Sequence, residues 1–486
     1  MRLRHLGQLL VVLASTVVCV SCGQVYRPVV IPITITPPNP GNFHEVFAIN
    51  ANVPFNPGTG MQVDVSGDTN VGVINIGLNP THAAILPNNS RVFVASAGSV
   101  IGQSDIVTSF TPAVDSTVGT GLGAGATVSL PSGSLPVFVH STQNNTMYVA
   151  NFGTNSVAQL NTFLNAVSNS APVGVNPVAL VETPNGNKLY VANQGSSTVS
   201  SLNTVDMSPN TVTGFLGNTP VWLLSRSDSQ KVYVLTQGDG QLVTIDTATD
   251  TVVSTVPVGA GANFMFYDPH LNRLYVTNPS TSTVYVFSTT GGANDTPIQL
   301  SAISMTAGPN PPCPSACSPS SVTALGDGSR FYVASYEIAT PCPDSVVGSS
   351  SACVIPRLAV FDANSFAMRT SLTLLSSPPF ASNPNTHQSQ FAVPPVASCA
   401  PAALYAPGTT RFRVFTTASA DSSRVYVSMC DAGSIAIVTT TTSSISPGGN
   451  TPDTLVRDLA APFSAGSAAT GGEPPPQNPV FLLAGQ

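Results

Sequence analysis

At 486 residues the chain is too long for one small core, which leaves two or three ordinary domains or one domain built from repeats. Only 8% of residues are charged and 42% are hydrophobic, which excludes a disordered chain of low hydrophobicity. Lys and Arg total 15 against 22 Asp and Glu, the net charge is -7, and no basic run occurs, which excludes nucleic-acid binding by phosphate neutralisation.

The first element is an export signal over residues 1–21. Arg2 and Arg4 give a positive start, and residues 9–20 form an apolar stretch too short for a membrane span. The segment Cys19-Val20-Ser21-Cys22-Gly23 resembles the cleavage box of bacterial lipoproteins. That resemblance implies that Cys22 becomes a lipidated first residue; the alternative is an ordinary cleaved secretory peptide. Either way the mature chain is expected to leave the cytoplasm, held to the membrane by lipid only, because no later stretch approaches 18 apolar residues. Residues 22–43 read as a tether with Pro28, Pro32, Pro37, Pro38 and Pro40. In polyproline II form such a tether reaches roughly 60 Å.

From 44 to 486 the chain repeats. Lys188-Leu-Tyr-Val-Ala-Asn193, Lys231-Val-Tyr-Val-Leu-Thr236 and Arg273-Leu-Tyr-Val-Thr-Asn278 are copies of one strand, and further copies start at Glu45, Arg91, Thr146, Arg330 and Arg424. The aligned aromatics are Phe47, Phe93, Tyr148, Tyr190, Tyr233, Tyr275, Tyr332 and Tyr426, with a base period near 42. That period suits a four-stranded propeller blade. One unit reads as strand A over 177–182, a turn at Pro184-Asn-Gly-Asn187, strand B over 189–192, strand C over 198–202 and strand D over 211–216.

The repeat resembles the YVTN-type β-propeller proteins: Tyr275-Val276-Thr277-Asn278 spells their motif, and Ile245-Asp246-Thr247-Ala248-Thr249 and Val256-Pro257-Val258-Gly259 follow it. The resemblance implies an all-β propeller of four-stranded antiparallel blades and says little of function. An eighth, divided unit has B, C and D strands at 45–50, 61–65 and 71–76 but lacks an A strand. Residues 479–484, which look like Pro177-Val-Ala-Leu-Val and Pro220-Val-Trp-Leu-Leu, supply one from the C-terminus. Eight blades are therefore favoured over seven with extra strands, since joining head to tail removes two exposed edges.

Eight Cys are present; setting aside Cys19 and Cys22 leaves Cys313, Cys317, Cys342, Cys353, Cys399 and Cys430. An even number in an exported chain predicts three disulfides. The long loops 307–319, 337–357 and 376–410 carry five of these Cys, and Cys430 ends a B strand, so all six fall on the face of the B–C and D–A loops. The favoured pairs are Cys313–Cys317, Cys342–Cys353 and Cys399–Cys430. These loops form a candidate recognition surface, with Glu337, Asp344, Arg357 and His387 as candidate contacts.

Arg91, Lys188, Lys231, Arg273, Arg330 and Arg424 each precede the repeat aromatic by two residues. They read as solvated residues at a turn-to-strand junction, with an anion-binding ring as the functional alternative. Asp64, Asn161, Asn203, Asp246 and Asp362, at C-strand ends, read as turn caps rather than calcium ligands. No HExxH, GxSxG or haem-attachment motif occurs. The best reading is a monomeric, non-catalytic module with no cofactor or metal that binds a protein or glycan at the cell envelope. The alternative is a periplasmic lactonase-like hydrolase with a metal in the central channel, for which His140 and Glu182 are the only nominees.

Overall fold

The computed structural model describes residues 45–52, 56–98, 105–113, 122–123, 125–292, 295–308, 311–314, 316–344, 347–348, 351–375, 391–400, 411–441, 452–464 and 476–485. The chain divides into two units at Phe43 and His44. The export signal, Cys22, the tether and His387 lie outside the described residues.

The second unit is an eight-bladed propeller: the described residues form eight four-stranded antiparallel sheets. Blades are numbered 1 to 8 in chain order and strands A to D from the hub outward. The A strands are Asn478–Ala484, Pro80–Ile85, Pro136–His140, Pro177–Glu182, Pro220–Ser225, Phe264–Asp268, Ser318–Ala324 and Val414–Ala418. Each touches the next, and the cycle closes where Asn478–Ala484 of blade 1 meets both Pro80–Ile85 of blade 2 and Val414–Ala418 of blade 8. Blade 1 is the divided one. Its A strand comes from the C-terminus and pairs with Glu45–Ala51, with Phe47 opposite Leu483 and Ile49 opposite Phe481.

The repeat aromatics explain why the B strands are apolar on both sides. All eight are at most 1% exposed. Each sheet has a neighbouring sheet on either face, so alternation of polar and apolar residues has no solvent side to serve.

Four A strands begin with Pro, and each of these has a bulge just after it. Proline lacks the N–H a ladder needs and is tolerated at a strand's first residue. The bulge leaves Val178 and Val221 without a ladder partner. The D strand of blade 4 is shorter than its sequence suggests. It covers only Pro209–Thr211, because the chain then crosses to blade 5, where Thr213 bridges Thr251 and donates to the Asp250 carbonyl. Asp64, Asn161, Asn203, Asp246 and Asp362 do cap their turns, accepting from backbone N–H groups two or three residues on.

The basic residues before the repeat aromatics are not solvated junction residues, nor do they form an open anion ring. Five of the six reach across to the next blade, while Lys231 pairs at 2.8 Å with Asp246 of its own blade and lies 3.7 Å from Asp295 of the next. Lys188 Nζ lies 2.7 Å from the Asp250 carboxylate, and the Tyr190 hydroxyl donates to the same carboxylate. Arg330 and Tyr332 hold Asp453 at 2.6 and 2.5 Å. Arg424 and Tyr426 hold Asp68 at 3.0 and 3.4 Å, which clamps blade 8 onto blade 1. The three acids end their C–D turns with φ of 53, 61 and 52°. Asp tolerates that left-handed backbone better than bulky residues, and its carboxylate answers a part-buried cation and a buried phenol at once. Other joints use variants: Arg91 bonds Asn165 Oδ1 and the Thr162 carbonyl, and Arg273 bonds the Ala363 carbonyl and lies over Phe366.

Candidate functional site at the hub and the stapled arm

The hub is filled by aromatic side chains from A strands and the segment leading into blade 8. His82 stacks on Phe138 at 3.7 Å, Phe138 meets Trp222 edge-on at 5.5 Å, and Trp222 lies 4.9 Å from Phe264. Phe412 and Phe415 pack on Phe264, and Phe481 joins Phe415 to His82. The alternation of each A strand turns these rings toward the axis. Arg411 covers the assembly where the D–A loops enter, with its guanidinium over Trp222.

Burial, helped by the Arg411 charge, pushes the His82 pKa well below the usual imidazole range, and burial alone lowers His140 to about 4. The unfolded chain therefore takes up protons at these residues as pH falls through the ordinary histidine range, while the folded chain refuses them. Acid weakens the fold at these two sites. Glu45 and Asp458, raised by burial to about 7, act in the opposite sense over the same window. His82→Phe should thus gain on the unsubstituted protein as pH is lowered from 8 to 5. Urea melts at the two pH values measure the difference, and an equal offset at both would refute the assignment.

His140 and Glu182 do come together, but as a joint between blades 3 and 4. His140 Nδ1 accepts from the Glu182 backbone N–H at 3.3 Å, and the Glu182 carboxylate accepts from the Thr142 N–H at 2.6 Å and its hydroxyl at 2.8 Å. Glu182 is 1% exposed. Among the described residues no group of three His, Cys, Asp or Glu side chains is placed to hold a metal ion.

The loop face carries the three disulfides, paired Cys313–Cys317, Cys342–Cys353 and Cys399–Cys430. Disulfides of this number suit folding in an oxidising compartment and support export. The segment 337–357 is strand at both ends, over 337–339 and 353–357, with a loop between them. Arg330–Ala339 and Cys353–Asp362 pair along ten residues each, so a hairpin projects past the blade. Cys342–Cys353 ties its tip, and Val393 of the following loop adds a bridge to Val354.

Glu337, Asp344 and Arg357 stabilise this arm from within. Glu337 lies 3.5 Å from Arg357, and the Asp344 carboxylate accepts from the Phe391 and Ala392 N–H groups. Among the described residues of the arm, Ile338 is the large apolar side chain presented outward, 55% exposed. The aromatic hub and Arg411 were missed in the sequence, where the available signal was the aromatic or His two residues after three of the four prolines that begin A strands, at His82, Phe138 and Trp222, with Ala179 in the fourth.

No protein-family profile matches this chain, and no curated protein matches it. Solved structures do. Dihydro-heme d1 dehydrogenase NirN in complex with DHE matches with a TM-score of 0.57 at 10% identity, over 92% of this chain and 75% of that one. A Pseudomonas aeruginosa periplasmic gluconolactonase matches with a TM-score of 0.47 at 15% identity, over 68% and 94%. Kuenenia stuttgartiensis hydrazine synthase matches at 0.45 and 15%, over 63% and 77%. At 10% identity the likeness to NirN is one of fold alone.

Proposed function

We propose that the protein is an exported, monomeric binding module of the cell envelope, lipid-anchored through Cys22, that takes a protein partner on its loop face. The observation that carries this reading is the hairpin arm of blade 7. It extends beyond its sheet, is tied at its tip by a disulfide, and presents Ile338 outward. A rigid ring with a fixed projecting arm is a scaffold that holds a recognition surface without the ordering cost of a free loop. The hub supports the same reading, since aromatic side chains occupy the axis where a propeller enzyme would place its polar ligands.

The test uses residues 44–486 as bait against an envelope extract, beside a version in which 337–357 is replaced by a short turn. The intact module should recover a defined protein that the shortened one loses. Equal recovery by both would overturn the loop-face reading, and turnover of a lactone by the intact module would favour the hydrolase instead. Replacement of Cys22 by Ser should abolish metabolic labelling with a fatty acid.

A further inference from the structure

The hub mouth on the loop face is built around a cation. The Arg411 guanidinium carbon lies 4.6 Å from the centre of the Trp222 ring, 5.7 Å from Phe138 and 6.0 Å from Phe412. One terminal nitrogen donates to the Val178 carbonyl at 3.1 Å and the other to the Val221 carbonyl. These are the two bulged residues of neighbouring A strands, so both are out of ladder register and their carbonyls are taken by Arg411. The receiving groups belong mainly to blades 3, 4 and 5, whereas the guanidinium comes from the segment entering blade 8.

Ring faces and carbonyl oxygens present partial negative charge, so this surface selects a cation and disfavours an anion. Two carbonyls met by two nitrogens of one planar group fit a guanidinium better than a point-charge ammonium. Arg411 itself is only half-buried, so the cage reaches solvent on the face that carries the disulfide-tied arm.

We propose that this mouth is a recognition site for an arginine side chain of a protein partner, and that Arg411 is its internal occupant, exchanged for the partner's arginine on binding. The proposal rests on the loop-face binding reading and gives that face a chemical specificity. An internal occupant lowers the apparent affinity for an external one by the fraction of molecules in which it is withdrawn.

The chain's single tryptophan is Trp222, so its fluorescence reports on this cage alone. The experiment titrates N-acetylarginine amide, with N-acetylcitrulline amide as the uncharged isostere, into the intact protein and into Arg411→Ala and Arg411→Gln. Both variants should give a saturable change in Trp222 emission with the arginine compound and none with the citrulline compound. The intact protein should saturate as well, at a Kd at least tenfold higher.

A variant that keeps its cooperative melt yet gives no saturable response overturns the cage. So does an intact protein that stays silent at a hundredfold the variants' Kd, for then Arg411 is a fixed brace. Glutamine preserves a donor to the carbonyls and guards against a fold lost with alanine. Replacement of 337–357 leaves this titration unchanged, so failure of the arm and failure of the cage read out separately.

Discussion

A chain ending at residue 475 should fail to form a cooperative ring. The deletion removes the A strand of blade 1, whose Val480, Phe481, Leu482 and Leu483 are all under 10% exposed. At ~1.5–3 kcal/mol for each fully buried side chain, roughly 6–12 kcal/mol of burial disappears. That is comparable with the ~5–15 kcal/mol stability of a whole domain. The loss also uncovers the inner edge of Glu45–Ala51, a row of unpaired backbone groups that invites aggregation. The expected result is insoluble or non-cooperative material, recovered in part by adding a peptide of residues 476–486. A truncated chain that melts cooperatively within a few degrees of the full protein would show that the closing strand is dispensable. The milder Phe481→Ala should cost ~3–5 kcal/mol, since that ring also packs on His82 and Phe415.

Asp453→Ala should be among the most damaging single substitutions outside the hub. Asp453 is 4% exposed and accepts from both Arg330 and Tyr332, which is itself fully buried. Removing one member of a buried charged set leaves the Tyr332 hydroxyl and one Arg330 nitrogen without their acceptor, though the other Arg330 nitrogen keeps the Thr440 carbonyl, at about 3–5 kcal/mol. The control is the triple variant Arg330→Met, Tyr332→Phe, Asp453→Ala, which removes the two less exposed donors with the acid; Arg369, 3.5 Å from Asp453 and 46% exposed, keeps its access to water. It should recover most of the lost stability in a urea melt. If the single and triple variants melt together, the carboxylate does not clamp blade 7 to blade 8.

Blade number, the strand order and the head-to-tail closure were legible because each is written locally. The aromatic in every B strand, Phe47 to Tyr426, marks one unit, and the likeness of 479–484 to the strands at Pro177 and Pro220 marks the missing piece. The turn caps were equally plain, because Asp and Asn side chains act on backbone two or three residues away. The clamps were not. Asp250, Asp453 and Asp68 lie 62, 123 and 356 residues from the cations that bind them. Nothing in the spacing of Lys188, Arg330 or Arg424 tells a solvated side chain from a bridging one. The same holds for Glu337 and Arg357, which looked like free charges on a loop until the extended pairing of strands B and C brought them face to face.

By itself, the amino-acid order determined the repeat, the all-β class, the oxidised cysteine set and the seam where the ends of the propeller meet. These follow from periodicity and composition, which act over a few residues. Tertiary structure alone decided where the charges go and what fills the axis. A blade meets its neighbours only after the ring has closed, and burial then forces each cation to find a carboxylate, carbonyl or ring on a segment remote in the chain. Arg411 is the sharpest instance: in the sequence it is one more arginine, and only the convergence of strands from blades 3, 4 and 5 surrounds it with aromatic faces.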